Sequence, residues 1–241
     1  MALLEVEGLS RYFGGVHAVA DLSFRVEAGE IVGLIGPNGA GKTTVFNLVT
    51  GFVRPTAGEI RLDGRSVVGL RPHAVTRRGI ARTFQIVKPF PGLSARENVT
   101  LASFLRHRSR PDAERAAQAL LERVGLGTKA DALASQLTLM DQRRLELAKA
   151  LATGPRLLLL DEPMGGLTAS EVDTASELVR RIRAEGVTVV LVEHVMKAIM
   201  RISDRVVVVN QGAKIADGPP AAVVQDPGVI AAYFGKRAAR C

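Results

Sequence analysis

The sequence is short of the features that hold together secreted proteins or carry a chain through a membrane. Its only cysteine is Cys241, the last residue, so an intramolecular disulfide is excluded and a reducing compartment is implied. By itself that thiol reads as an exposed terminal group without function. Long apolar runs are missing too: the longest are Leu157 to Leu160, Val187 to Val192 and Val206 to Val209, well under the ~20 residues of a membrane-spanning helix. Residues Met1 to Glu7 place acids where an export signal has a basic start and a long apolar stretch. If the protein serves a membrane, another chain must cross it. Polybasic arms, internal repeats and low-complexity linkers are all lacking.

With 241 residues and 47% hydrophobic content, the chain can bury one substantial core, which favours a single domain with room for an inserted subdomain. Lys and Arg number 32 against 24 acidic residues, a net charge of +8. That balance suits nucleic acid, an anionic membrane surface or a nucleotide, and does not choose between them. The small clusters Arg77, Arg78 and Arg82, and Arg106, Arg108 and Arg110, read as solvated faces.

Short strands are predicted at Leu3 to Val6, Val19 to Val26 and Ile31 to Ile35, the last running into a glycine-rich turn and a helix from Lys42 to Thr50. Glu59 to Leu62 followed by Asp63-Gly64 reads as a strand entering a tight turn. From Pro89 to Thr153 the pattern is mostly helical, clearest at Arg115 to Val124 and Gln142 to Ala152. The three apolar runs of the final third fit strands buried on both faces of a parallel sheet. Periodic helices, Ser170 to Ala184 and Val195 to Ile202, lie between them. The expected fold class is α/β, a sheet interrupted by a helical subdomain.

Gly36-Pro37-Asn38-Gly39-Ala40-Gly41-Lys42-Thr43 matches the phosphate-binding loop pattern in its required context, directly after an apolar strand and before a helix. Gly39 and Gly41 are expected to let backbone N–H groups turn towards phosphate oxygens where a Cβ would block the approach. The helix N-terminus adds a favourable dipole. Lys42 should reach the β- and γ-phosphates, Thr43 should ligand Mg²⁺, and Thr44 should support the α-phosphate.

Leu157 to Leu160 delivers Asp161 and Glu162 at a strand's carboxyl end, where open α/β sheets bind ligands. A strand-end Asp-Glu alone is commonplace; paired with the loop, Asp161 becomes a Mg²⁺ ligand and Glu162 the general base for water. His194, after the strand Val187 to Val192, should reach the same edge and contact the γ-phosphate. His17, His73 and His107 have no such context and read as surface groups.

Together these motifs resemble the ATP-binding cassette family over essentially the whole chain. The resemblance implies a P-loop NTPase with a RecA-like, mostly parallel core (residues 1–84 and 156–241), an N-terminal antiparallel β subdomain and an inserted helical subdomain (85–155). It further implies that Gln85, in Ile80 to Gln85, enters the site and the metal shell, and that Phe13, before Gly14-Gly15, stacks on adenine with Tyr12 as substitute. Gly165 to Thr168 corresponds to the loop through which paired cassettes touch. Arg11 to Val16, Gln142 to Ala152, Asp204 to Gly212 and the tail Asp226 to Gly235 are similar to the LivG-type cassettes of branched-chain amino acid importers. The resemblance thus implies ATP and Mg²⁺ as cofactors, transmembrane permease subunits, a second cassette and a solute-binding protein as partners, and a peripheral place on the cytoplasmic face of the inner membrane. Nucleic acid is not an expected partner. Export-type cassettes, such as lipopolysaccharide-export ATPases, share the catalytic parts. Soluble cassettes acting on ribosomes or DNA usually carry tandem units or a coiled-coil insertion, absent here; a weakly hydrolysing regulatory subunit is a third reading.

One segment departs from the family. Where the family has a Leu-Ser-Gly-Gly-Gln type signature, which closes over the γ-phosphate held by the opposite subunit, this chain has Leu137-Thr138-Leu139-Met140-Asp141. Thr138 keeps the hydroxyl for that contact in trans. Met140 replaces a glycine, which narrows the approach and penalises positive φ. Two readings stay open: an asymmetric heterodimer in which this chain's own site is the complete one, or an ordinary Met140 conformation with both sites working.

Overall fold

The computed structural model describes residues 2–234; Gly235 of the tail and Cys241 lie outside them. Two twelve-residue strands, β1 (Ala2–Phe13) and β2 (Val16–Glu27), pair antiparallel across Gly14-Gly15. Both are longer than the expected Leu3 to Val6 and Val19 to Val26. The extra length was hidden because register shifts between Val6 and Leu9 and between Leu9 and Arg11 interrupt the alternation of apolar residues. The strand β4 (Ala57–Leu62) pairs with the other edge of β1 and turns at Asp63-Gly64 into β5 (Arg65–Ser66), completing an antiparallel sheet ordered β2-β1-β4-β5.

The larger sheet runs β10-β9-β3-β8-β7-β6. Its strands are β3 (Ile31–Ile35), β6 (Ile80–Arg82), β7 (Leu157–Asp161), β8 (Thr188–Val192), β9 (Arg205–Asn210) and β10 (Ala213–Gly218). All pairs are parallel except that of β9 and β10. Because side chains alternate across a strand, the continuous apolar runs feed two cores at once. Val32, Leu34, Leu157 and Leu159 face the antiparallel sheet and the helix α1 (Lys42–Val49). Ile31, Ile35, Leu158 and Leu160 face the other way, onto helices.

The helix α2 (Pro72–Arg78) precedes β6. The inserted helices are α3 (Ala95–Ser103), α4 (Arg110–Arg123) and α5 (Leu139–Ala152). A capping box between Ser94 and Glu97 starts α3. Val99, Leu121 and Leu145 share one core with Leu158 and Leu160, so the insert is packed onto the sheet rather than around a centre of its own. Each such fully buried leucine contributes about 1.5–3 kcal/mol. The remaining helices are α6 (Ala169–Ala184), α7 (Met196–Ile202), α8 (Pro220–Val223) and α9 (Pro227–Phe234). Among the described residues no helix is long and apolar enough to cross a membrane.

Candidate functional site

Because β3, β8 and β7 are neighbours and parallel, their carboxyl ends reach one edge of the sheet in that order. The loop after β3 therefore faces Glu162, after β7, with His194, after β8, between them. They enclose a cleft of about 800 Å³, lined by Asn38 to Thr44, Gln85, Glu162 and His194, together with Val16, His17 and Ala18 of the first hairpin. That volume is in the range of small-molecule sites. The structure thus brings Asn38, Gly39, Ala40, Gly41, Lys42, Thr43, Thr44, Gln85, Glu162 and His194 together. Gly36 and Pro37 form the base of the loop outside the cleft wall.

Gly39 and Gly41 both have a positive φ. Gly39 sits at φ +77°, a backbone angle that side chains rarely adopt, and a Cβ there would meet no protein atom and would stand in the open cleft. At Gly41, φ +103°, a Cβ would lie 2.3 Å from the carbonyl oxygen of Ala18. The crowding there comes from the chain's own first hairpin. Gly41 is also the N-cap of α1, and no side chain caps that end, so no side chain competes for the first N–H groups of a helix whose opening residues line the cleft. Lys42 opens the helix, only 6% exposed, and its ammonium donates to the carbonyls of Gly36 (2.7 Å) and Pro37 (2.9 Å). Burial lowers its pKa, opposed by the nearby carboxylates of Glu162 and Asp161.

Glu162 has a left-handed backbone, φ +51°, costly for a residue with a side chain. Its N–H donates to Val192 O at 2.9 Å, so β8 holds the strained turn. The carboxylate is suspended between two groups: Gln85 Nε2 donates to Oε2 at 2.7 Å, and His194 Nε2 lies 2.8 Å from Oε1. Asp161 is placed differently. It is buried beneath the cleft, and its Oδ2 is 2.8 Å from Arg82 Nη2, side chains 3% and 5% exposed. Arg82, expected on a solvated face, is instead a buried cation on β6. It also donates to Asn47 Oδ1 at 2.7 Å and stands 4.5 Å from the Phe84 ring centroid. Burial raises the Asp161 pKa against the pull of Arg82, and burial lowers that of Arg82 against Asp161. A buried pair of this kind is costly to break from one side, about 3–5 kcal/mol.

Phe13 and Thr138 lie outside the cleft wall. Phe13 is 45% exposed, with the Arg11 guanidinium 4.5 Å from its ring centroid. Tyr12 packs against His17, centroids 4.4 Å apart. Thr138 is the N-cap of α5: its Oγ1 accepts from Asp141 N at 3.2 Å and donates to Asp141 Oδ2 at 2.9 Å. Met140 sits inside α5 and is not among the residues with positive φ, so the expected backbone penalty does not arise and only its side-chain bulk remains. Asp141 is buried and paired with Lys129 at 2.5 Å. Burial alone would raise its pKa, but the hydrogen bonds from Lys129 and Thr138 carry it below its ordinary value. Arg143, two residues further along α5, donates to the carbonyl of Gly165, tying α5 to the loop after Glu162.

Three residues of this edge escaped the sequence reading. His17 looked like a surface histidine yet lines the cleft; its position just past Gly14-Gly15 was the available signal. Arg82 and the buried Glu193, which accepts three backbone N–H groups, are long-range contacts that leave no local pattern.

A strand-to-helix loop with a nearly buried lysine, facing a carboxylate held by an amide and an imidazole, is the site of a P-loop nucleoside triphosphatase. The ABC transporter family matches residues 19–165, and a second profile, the branched-chain amino acid ATP-binding cassette transporter, matches residues 213–239. The chain is 45% identical to the branched-chain amino acid transport ATP-binding protein BraF of Pseudomonas aeruginosa and 42% identical to LivG of Escherichia coli, each over 97% of this chain and 98% of the relative. The lipopolysaccharide export ATP-binding protein LptB of Escherichia coli is 35% identical over 98% of both chains. A crystal structure of the ADP conformation of an ABC transporter's ATP-binding cassette superimposes with a TM-score of 0.88 at 27% identity, covering 98% of this chain and 99% of that one. The chain belongs to the ABC transporter family of ATP-binding subunits, and it is an ATPase of that family.

Proposed function

We propose that this chain hydrolyses Mg²⁺-ATP to drive an importer of branched-chain or other hydrophobic amino acids. It would sit on the cytoplasmic face of the inner membrane against transmembrane permease subunits, paired with a second cassette, identical or not, and served by a solute-binding protein outside. The observation that carries the chemistry is the Glu162 carboxylate, suspended between Gln85 and His194 in a cleft shared with Lys42. The solute class is supported by the higher identity to BraF and LivG than to LptB and by the match of the tail.

In this reading the backbone N–H groups from Asn38 to Thr44 surround the phosphates above the base formed by Gly36 and Pro37, Lys42 neutralises the β- and γ-oxygens, and Phe13 flanks the adenine. Glu162 takes a proton from water as that oxygen attacks the γ-phosphorus and the bond to the β-phosphate oxygen breaks, leaving ADP and phosphate. His194 orients the Glu162 carboxylate on one side and Gln85 on the other; Thr138 faces the nucleotide of the paired cassette. Thr43, Gln85 and Asp161 would hold Mg²⁺, which screens phosphate charge. They offer only hard oxygen donors: a hydroxyl, an amide oxygen and a carboxylate. That fits an ion that keeps waters and phosphate oxygens as its other ligands.

The test is single-turnover hydrolysis by the chain co-purified with its permease. Glu162→Gln should retain ATP and lose about 100-fold or more in rate, the scale of a lost general base. A parent-like rate in that variant removes the mechanism. In proteoliposomes, leucine, isoleucine or valine with the binding protein should stimulate turnover; stimulation by a lipid instead would favour export.

A further inference from the structure

Glu193 lies beside His194 and is 2% exposed, yet the chemistry above gives it no task. No cation pairs with it among the described residues. Its carboxylate is instead satisfied by backbone: Oε1 accepts from Met164 N at 2.5 Å, and Oε2 accepts from His194 N at 3.0 Å and Val195 N at 3.3 Å. Met164 follows Glu162 by two residues, at the start of the turn leading to Gly165-Gly166. One carboxylate therefore grips both loops whose side chains meet at the His194 to Glu162 contact of 2.8 Å.

We propose that Glu193 is a positioning residue for hydrolysis: it clamps the loop after Glu162 to the loop carrying His194 and so sets the distance and angle between those two side chains. The inference rests on the reading of Glu162 and His194 given above. Its physical basis is the number and type of partners. Charge-assisted bonds from backbone N–H groups are about twice as strong as neutral ones, and three converging on one buried carboxylate leave it no alternative geometry. Glutamine has the same shape but only one accepting oxygen. Its amide NH₂ would face N–H donors from one loop or the other, and that loop must let go. The released loop carries either His194 or the residues next to Glu162, and a misplacement of about 1 Å at such a contact costs up to about 100-fold in rate.

A merely structural cap would lower stability without singling out His194, so the deciding measurement is a double-mutant cycle in the transporter assembled with its permease. Glu193→Gln should reduce kcat about tenfold or more while ATP affinity, read with a fluorescent ATP analogue, stays within about twofold. In a His194→Ala background, Glu193→Gln should cost nothing further, because it acts through His194. An equal loss in both backgrounds, or a parent-like kcat for Glu193→Gln alone, overturns the proposal while leaving the catalytic reading intact. A parent-like kcat for His194→Ala overturns both. Should Glu193→Gln not fold, Glu193→Asp in the same cycle decides: it keeps a charged acceptor beside His194 and Val195 but shortens the reach to Met164 by one methylene. Its kcat loss should likewise vanish without His194.

Discussion

The N-termini of α1 and α5 are built in opposite ways. The end of α1 has glycine as its N-cap, no side-chain cap, no acid in its first turn, and Lys42 as its first residue. The end of α5 has a threonine cap, an acid in its first turn and a bulky Met140. There the hydroxyl of Thr138 is already engaged by Asp141, whose carboxylate is in turn held by Lys129. Both ends carry the partial positive charge of a helix dipole. In α1 that charge and the free N–H groups are offered to a ligand; in α5 they are answered by the chain itself. The α1 end therefore leaves its donors free of side-chain competition, whereas at the α5 end the Thr138 hydroxyl must give up its bonds to Asp141 to reach a phosphate in trans.

The largest effect should come from removing what makes the α1 end cationic. Lys42→Ala is expected to cut ATP turnover by at least 100-fold, about 2.7 kcal/mol or more of transition-state stabilisation. Turnover and nucleotide binding by that variant at parent levels would dissolve the contrast between the two ends. The converse experiment opens α5. Met140→Gly combined with Asp141→Gln removes both the bulk and the carboxylate from the first turn. In a Glu162→Gln background it should raise ATP-dependent self-association of the chain about tenfold, or ~1.4 kcal/mol, measured by light scattering. Unchanged self-association would mean that the α5 end of the parent already accepts a phosphate in trans, and that the pairing is symmetric.

How much of this could be read in advance depended on whether the determining contacts were local. The loop from Gly36 to Thr43 and the acids at Asp161-Glu162 follow apolar strands directly, so pattern and position coincide, and parallel order then brings His194 to the same edge. The strand β6 is three residues long and sits between Gly79 and Thr83; nothing in so short a stretch marks a strand, and it exists because Ile80, Ala81 and Arg82 pair with Leu157, Leu158 and Leu159. Arg82 was misplaced on the surface for the same reason. Its partner Asp161 is 79 residues away, and a lone arginine near Arg77 and Arg78 gives no hint that it alone turns inward. At Met140 the backbone takes the ordinary conformation, one of the two left open by the sequence. Thr138 three residues before Asp141 is a capping pattern, and a capped first turn fixes ordinary helical angles for Leu139 and Met140 between them.

The smallest effects test how firmly α5 answers its own end. Thr138→Ala deletes the cap and should cost about 1 kcal/mol, a fall in melting temperature of about 2–4 °C for a chain of this size. Asp141 adds a dependence on acidity whose sign follows from its depressed pKa. As the pH falls, the unfolded chain takes up the proton first, near the ordinary value of ~3.9, while the folded carboxylate still resists it. The stabilisation is complete above that value and is lost as the pH drops through the lower folded pKa. Urea melts of the parent and of Asp141→Asn should therefore differ most at neutral pH and converge below about pH 4. A difference that persists undiminished into acid would show that Asp141 stabilises α5 by shape and neutral hydrogen bonding. The negative charge at that end would then be incidental, and bulk at Met140 alone would set α5 apart from α1.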